Sequence, residues 1–332
     1  MEKYLQNELT IENISNTNIH HESITSSPIY SIIQLDSGVV AIGLENGIIN
    51  FYHQDNFEVP YFNIRVDIYP IFSILQLKAP QLLCSSGSSM YLIYESESKK
   101  FTYEKVEKIN FDNVNGNIHK ILLLSDGAIL SSDNKYISLF NEKYEKIKLI
   151  KQIKVNSPVI DMLLFNSSEI ICAAPKKQSL IILDIEKFIQ NNEIKDIKFM
   201  KDINCNNILI KIKNDLICIG GCLGFVYLLN VKNKQFIAKA NLSYQNELIT
   251  TMLLLKKGDL LCGSSLLSVD KNNENLYSSL AQYRYSNNYF KEIYRKLDIH
   301  KDIIRKIYNV INHRDIMEIA TISLDKNFKI WN

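Results

Sequence analysis

The sequence lacks the features that mark secreted, membrane-spanning or strongly charged proteins. Its first residues, MEKYLQNELTIENI, are charged and contain no apolar run long enough for a secretory signal. No stretch approaches the ~18 uninterrupted apolar residues that a membrane span needs. The net charge is only +2, so no large field draws the chain to nucleic acid or to an anionic membrane. We therefore predict a cytoplasmic protein without membrane insertion or direct nucleic-acid binding; a nuclear or ciliary location stays open.

The six cysteines lack the spacing of a zinc site. Cys218 and Cys222 lie close together and Cys205 could approach them, but no histidine or further cysteine completes a ligand set at a usual spacing. Four cysteines instead close apolar strands at one repeat position, where a buried thiol packs as a small hydrophobe: Cys84, Cys172, Cys218 and Cys262. We predict no metal and no cofactor.

The chain does contain a short apolar phrase that ends in a small residue and recurs seven times. The small residues are Ala41, Cys84, Ser131, Cys172, Cys218, Cys262 and Ala320. Their spacing is about 41–47 residues, with a last interval of about 58, and this period with a β-type pattern is typical of propeller blades. Seven such blades use about 295–315 residues and leave no room for a second domain.

Each phrase is the second of four predicted strands in its repeat. An apolar strand precedes it across a turn, as at 36–38 and 125–127, and two further strands follow. Pro28, Pro70 and Pro158 stand at the start of a first strand, where no ladder N–H is needed. We predict an all-β fold with one domain over 1–332, a single seven-bladed β-propeller of four-stranded antiparallel blades. The predicted blades are 24–66, 67–112, 113–155, 156–203, 204–243, 244–298, and 299–332 together with 1–12.

The last repeat carries a specific resemblance to a known family. The segment HKDIIRKIYNV…IATISLDKNFKIWN, which begins at residue 300, resembles one full repeat of the WD-repeat β-propeller family. In that family a histidine before the blade, a serine or threonine, an aspartate and a tryptophan form a buried hydrogen-bonded tetrad. The resemblance implies a structural tetrad of His300, Thr321, Asp325 and Trp331. The other repeats depart from the pattern, and their tryptophan position holds residues such as Tyr52, Phe140 or Leu229.

The last repeat also needs an outer strand. Its sequence stops after the third strand, whereas YLQNELTI at 4–11 has strand-like character. An open ring would leave ladder groups unpaired at both ends. We therefore predict that 4–11 supplies the missing strand and joins the first blade to the last.

Two positions near the start of each first strand are predicted to line the central channel. The first ring position holds Tyr30, Phe72, His119, Ile160, Asn207, Thr250 and Arg305. The second ring position holds Ser31, Ser73, Lys120, Asp161, Ile208, Thr251 and Lys306. Neither contains a carboxylate pair, a histidine cluster or a nucleophile beside a base, and one acid alone cannot hold a catalytic metal. We predict that the chain is not an enzyme.

The basic members of these rings are candidate partner-binding residues. His119, Lys120, Arg305 and Lys306 could form a rim that binds an acidic peptide or a phosphate. The same residues fit a simpler interpretation as solvated side chains, since the two basic blades are not adjacent.

The long sixth repeat supplies a second candidate surface. Its insertion lies within 266–297 and includes Tyr277, Tyr283 and Tyr285. Tyrosine is frequent in interface hot spots. The alternation in AQYRY fits a half-buried strand equally well, so both interpretations stay open.

The resemblance implies a non-enzymatic protein–protein interaction scaffold or adaptor. We expect a monomeric propeller that binds other proteins on its top face and blade edges within a larger intracellular complex. A rigid ring suits this role because it presents many loops without having to move. The alternative is a recognition module that binds an acidic or phosphorylated peptide through the basic channel rim.

Overall fold

The structure is a computed structural model that confirms the predicted fold, a seven-bladed β-propeller of four-stranded antiparallel sheets. One short helix occurs within the described part of the chain. The described residues are 18–78, 81–96, 98–100, 102–111, 113–143, 146–175, 179–191, 195–198, 206–221, 224–242, 247–266, 278–286 and 289–331.

The first strand in the chain, β1 (Ile19–Ile24), belongs to the last blade. Blade 1 is formed by β2 (Ile29–Gln34), β3 (Val40–Leu44), β4 (Ile48–Tyr52) and β5 (Phe62–Arg65). Blade 2 is formed by β6 (Ile71–Gln76), β7 (Gln81–Ser86), β8 (Ser89–Glu95) and β9 (Tyr103–Ile109). Blade 3 is formed by β10 (Lys120–Leu123), β11 (Ile129–Ser132), β12 (Tyr136–Lys143) and β13 (Lys146–Lys154). Blade 4 is formed by β14 (Asp161–Leu164), β15 (Glu169–Ala174), β16 (Ser179–Asp184), the helix α1 (Ile185–Asn191) and β17 (Lys195–Lys198).

The remaining strands complete the ring in the same order. Blade 5 is formed by β18 (Asn206–Lys213), β19 (Leu216–Gly221), β20 (Phe225–Asn230) and β21 (Gln235–Asn241). Blade 6 is formed by β22 (Glu247–Leu254), β23 (Leu260–Leu266), β24 (Ser278–Ser286) and β25 (Tyr289–Leu297). Blade 7 is formed by β26 (Ile304–Ile311), β27 (Met317–Ser323), β28 (Asn327–Trp331) and β1.

The innermost strands surround a central channel. In each blade the first strand is innermost, and it contacts the innermost strands of both neighbouring blades. These strands are β2, β6, β10, β14, β18, β22 and β26. We call the face at which they begin the top face. The connections from each outermost strand to the next blade reach the innermost strands at this face.

The ring is closed by an N-terminal strand, as predicted, but a later segment supplies it. Residues 4–11 lie outside the described residues, and the strand paired with β28 is β1, with Ser23 opposite Phe328 and Ile24 opposite Asn327. Thr25 then ties the following turn to blade 7, since its N–H and hydroxyl donate to the Lys326 carbonyl over 2.9 and 3.0 Å. An outer strand that leads directly into β2 needs only a short connection, which explains why the residues just before β2 take this place.

The hydrophobic core lies between the blades. Seven apolar clusters of described residues each join two neighbouring blades, and the cluster between blades 7 and 1 packs Tyr52 and Phe57 against Phe328. Because both faces of a blade are covered, its second and third strands are buried almost throughout, as in β3 and β4. This burial explains the near-continuous isoleucine, leucine and valine of the repeat.

The recurring small residues all lie in second strands, yet they do not share one face. Cys84, Cys172 and Cys262 pack against the preceding blade, whereas Cys218 packs against the following blade. A one-residue difference in the chain reverses the side of a strand on which a side chain lies. Cys218 and Cys262 therefore share the cluster between blades 5 and 6. The four thiols are free, and burial raises the pKa of each.

Blades 1 and 2 approach closely at Gly43. The Ser31 hydroxyl, opposite Gly43, donates to the Ile71 carbonyl of blade 2 over 2.7 Å. A Cβ at Gly43 would lie 2.4 Å from Ser31 Oγ and 2.7 Å from Ile71 Cβ, so a side chain there must push the two blades apart.

We expect Gly43→Ala to lower the free energy of unfolding by about 1–3 kcal/mol, the usual cost of overpacking a core. Chemical denaturation with circular dichroism would measure it. Gly127→Asn is the matched control, because Gly127 has nothing within 4 Å of a Cβ and asparagine tolerates its φ of 84°. Equal stability of the Gly43→Ala variant and the wild type would contradict the close approach.

Candidate interaction site at the mouth of the channel

A β-bulge near the start of the innermost strands places the two ring positions. In five blades the pairing with the second strand shifts register at the same point, leaving the first-ring residue as the extra one: Tyr30, Phe72, Asn207, Thr250 and Arg305. A bulge re-aims the side chains beside it. In blades 7, 1 and 2 both ring residues consequently contact a neighbouring blade rather than alternating between two faces.

The first ring position forms an arc of side chains across four consecutive blades. The Arg305 guanidinium carbon lies 4.8 Å from the centre of the Tyr30 ring, within cation–π distance. Tyr30 and Phe72 meet edge to face with ring centres 5.5 Å apart, and Phe72 meets His119 in the same way at 5.9 Å. We call these four residues the aromatic arc. The two basic blades are not adjacent, as expected, yet the rings of blades 1 and 2 join them.

Polar contacts hold two members of the arc, His119 at one end and Tyr30 within it. His119 Nε2 lies 3.0 Å from Asn134 Oδ1, and the Tyr30 hydroxyl donates to Glu45 over 3.4 Å. Burial and the charge of Glu45 raise the pKa of Tyr30, against the opposing charge of Arg305. Burial lowers the pKa of Arg305, which stays a cation in proteins. The mouth of the channel thus presents a half-buried aromatic wall with a guanidinium at one end.

The second ring position ties neighbouring blades together. The Lys306 ammonium donates to the Ile32 carbonyl of blade 1 over 3.1 Å. Thr251 Oγ1 accepts from the Ile307 N–H of blade 7 over 3.0 Å, and Asp161 accepts from the Leu209 N–H of blade 5 over 3.0 Å. These bonds join strands that share no ladder, so this ring holds the channel wall together.

The same ring concentrates positive charge inside the channel. Lys120 forms an ion pair with Asp161, with Nζ and Oδ1 3.1 Å apart. Burial and, to a smaller extent, the Lys120 ammonium lower the pKa of Lys306 to about 7, against the opposing charge of Asp161. Lys120 and Lys306 are both half-buried, and each is tied by its ammonium group to a neighbouring blade.

The structure brings together the four residues of the tetrad in blade 7. The Trp331 indole N–H donates to Thr321 Oγ1 over 2.9 Å, and Thr321 Oγ1 lies 2.8 Å from His300 Nε2. His300 Nδ1 lies 3.2 Å from both carboxylate oxygens of Asp325. Each donor has an acceptor when His300 is neutral with its proton on Nδ1. Burial lowers the pKa of His300, outweighing Asp325, so burial favours this neutral form.

Comparison with known proteins rests on the structure alone. No family model and no curated protein matches the sequence. A crystal structure of the WD40 β-propeller domain of Doa1 is similar to the chain with a TM-score of 0.68, covering 96% of this chain and 97% of that chain at 12% identity. The chain has the WD40 β-propeller fold. At this identity the likeness carries the fold and nothing about partners.

Other blades of this WD40 propeller use different polar contacts in place of the tetrad. In blade 2 the Tyr91 hydroxyl donates to Asp67 over 2.6 Å. In blade 6 the buried Glu247 carboxylate accepts from the Ser279 hydroxyl over 3.2 Å and from Arg295 over 3.3 Å. This network could not be predicted from the sequence, because its members come from three different strands and form no motif.

The tyrosines predicted as a binding surface in blade 6 have different positions. Tyr283 is buried and its hydroxyl donates to the Leu242 carbonyl, so it packs in the core and the predicted exposed site is wrong for it. Burial also raises its pKa. Tyr285 is half-buried against Phe290, with ring centres 5.1 Å apart. Tyr277 lies outside the described residues. The alternation of a half-buried strand therefore describes Tyr283 and Tyr285.

Four exposed apolar side chains that were not predicted from the sequence lie on the top face of this WD40 propeller. These residues connect an outermost strand to the next blade on three successive junctions, from blade 6 to blade 2. The exposed fractions are 60% for Leu297, 78% for Ile24, 70% for Ile68 and 55% for Tyr69. We call these four residues the top-face patch. The sequence does contain a signal for these residues, because each of them ends or follows an outermost strand just before the chain enters the next blade.

A cleft of about 490 Å³ opens on the same face between blades 3 and 4. Polar residues provide five of its seven lining residues: Asn115, Asn134, Lys135, Lys154 and Asn156. Because Asn134 also contacts His119, the cleft begins where the aromatic arc ends.

Two chemical features are absent from the part of the chain that the structure describes. It contains no group of three or more histidine, cysteine, aspartate or glutamate side chains placed to hold a metal ion. It also contains no helix with the length and apolar character required to cross a membrane.

Proposed function

We propose that the chain is a non-enzymatic scaffold or adaptor whose top face binds other proteins, as a propeller subunit of a larger cytoplasmic complex. The top-face patch carries this proposal. Its large apolar side chains are mostly exposed and lie on one face at three successive blade junctions, and exposed apolar surface of this kind is typical of a protein-binding face. The patch spans the blades that hold Arg305, Tyr30 and Phe72, and arginine and tyrosine are enriched in binding hot spots.

The patch can be tested with Ile24→Glu and Ile68→Glu in proximity labelling from the native cell. We expect both variants to lose the same partners, because each places a charge in an apolar contact. Ile150→Glu is the matched control, since Ile150 is 51% exposed but lies on the outer strand β13. An unchanged set of partners in both patch variants, with normal melting temperatures, would reject the proposal.

A second candidate function is recognition of an acidic or phosphorylated peptide through the channel mouth. The aromatic arc favours it, because Arg305 lies on Tyr30 and forms no ion pair with any described residue. Adding Arg305→Glu to the same labelling experiment separates the two functions. Partners bound through the patch should be retained, whereas partners that insert an anionic group should be lost.

A further inference from the structure

The channel holds more positive than negative charge near its mouth. Its cations are Arg305, Lys306 and Lys120, and Asp161 neutralises Lys120 through their 3.1 Å contact. Arg305 and Lys306 have no carboxylate partner among the described residues. With Lys306 protonated, this group therefore carries two more positive than negative charges, and Arg305 and Lys306 are consecutive residues of β26 at the bulge that turns both towards blade 1.

The two cations are held in position but keep free hydrogen-bond donors. The Arg305 guanidinium lies over the Tyr30 ring, Phe72 packs edge to face against that ring, and His119 packs against Phe72. A guanidinium has five N–H donors suited to bidentate contacts with an oxyanion. Lys306 uses one of its three donors on the Ile32 carbonyl and lies 5.0 Å above the Tyr308 ring.

We propose that the channel mouth binds a phosphate monoester, with Arg305 and Lys306 contacting the phosphate oxygens and Tyr30 and Phe72 forming the wall beside it. The inference rests on the second candidate function and names the anion that this site takes. A phosphate monoester carries about −1.5 to −2 charges at pH 7 and so matches two cations. A carboxylate carries one charge and would leave one cation unmatched. The phosphate could belong to a phosphorylated peptide or to a small phosphate compound.

Binding of the dianion should be coupled to proton uptake by Lys306. The charged or titratable groups that face it are Lys120 on β10, Asp161 on β14 and Tyr308 on its own strand. With its pKa near 7, Lys306 is partly neutral at physiological pH, and a bound dianion favours the ammonium form. Affinity should therefore rise as the pH falls from 8 to about 6.5. It should fall again below pH ~6, where the phosphate loses its second charge.

Isothermal titration calorimetry can test the site with inorganic phosphate and with blocked peptides that carry a central phosphoserine, glutamate or serine. We expect the phosphate probes to bind, the glutamate peptide to bind about tenfold more weakly, and the serine peptide not to bind. Arg305→Ala and Lys306→Met should each weaken phosphate binding about tenfold, the usual effect of losing a hydrogen bond to a charged group. Lys306→Met should also abolish the rise in affinity between pH 8 and 6.5.

Lys301→Met is the matched control, because Lys301 is an exposed cation on the same face and should change the affinity less than twofold. Melting temperatures verify folding, and Arg305→Ala removes a side chain that belongs to none of the seven apolar clusters. Binding of inorganic phosphate without the phosphopeptide would support the site and assign it to small phosphate compounds. Wild-type phosphate affinity in both channel variants, or no binding of either phosphate probe, would overturn it. Equal affinity for glutamate and phosphoserine peptides would overturn the inference but leave the second candidate function standing.

Discussion

A chain that lacks residues 1–24 is expected to melt about 5–10 °C below the full-length protein. The truncation removes β1, whose residues pair with β28 at five positions. At about 1 kcal/mol for each backbone hydrogen bond, several kcal/mol of stability are lost, and 1 kcal/mol corresponds to about 2 °C in a chain of this size. The loss also leaves β28 as an unpaired edge. Thermal unfolding followed by circular dichroism measures the shift, and amide hydrogen exchange in β28 should accelerate.

Truncation of residues 1–12 is the matched control. It removes the segment first predicted to close the ring but retains β1 and Thr25, so the melting temperature should change by no more than about 2 °C. If both truncations lower the melting temperature equally, the assignment of the closing strand to Ile19–Ile24 is wrong.

Thr321→Val should strongly destabilise blade 7. Thr321 is fully buried, and its hydroxyl serves both the Trp331 N–H and His300 Nε2. Valine has nearly the same shape but leaves both groups without a partner, at about 1–3 kcal/mol for each. We expect a loss of about 2–5 kcal/mol in the free energy of unfolding, measured by urea denaturation. Thr250→Val is the control, because Thr250 is half-buried and makes one longer bond of 3.3 Å to the Gly263 carbonyl; it should cost less than about 1 kcal/mol.

The same tetrad predicts a loss of stability in acid. The folded pKa of His300 is lowered, so the unfolded chain binds more protons below its pKa of about 6.5, and stability falls as the pH drops from there towards the folded pKa. Burial raises the pKa of Asp325, but His300 and the N–H groups of Asn327 and Lys301 outweigh it, so the net shift is downward and a second loss begins below pH ~4. His300→Gln should reduce the first loss. A wild type and variant with the same pH dependence between pH 7 and 5 would contradict a neutral His300.

The fold could be predicted because the repeat period and the apolar character of the strands both indicate propeller blades. Strands buried on both faces require apolar residues throughout, and the phrases around Cys84 and Cys172 are of this kind. The closing strand could not be placed, because 4–11 and Ile19–Ile24 both have strand-like sequences and pairing with β28 is a contact between distant residues. The side of the strand on which Cys218 lies could not be predicted either. A one-residue shift moves a side chain to the other side of the strand but leaves the repeat period almost unchanged.

The candidate site was predictable in its residues but not in its arrangement. The two ring positions were found from the sequence, and the basic side chains among them were identified. Their relation through Tyr30 and Phe72 depends on the bulge and on ring closure, which makes blade 7 a neighbour of blade 1. Tyr283 shows that residue type alone can mislead. Tyrosine is frequent in interfaces, but the alternation along its strand places Tyr283 in the core.

Pairing of β1 with β28 also sets the order in which the protein can mature during synthesis. The two strands are separated by about 300 residues, and translation adds about 5–20 residues each second. β1 therefore spends about 15–60 s outside the ribosome before its partner exists. During that interval blades 1 to 6 can assemble as an open arc with exposed flanks. A chaperone that shields such flanks should raise the yield of newly made protein far more than it alters the stability of the finished ring.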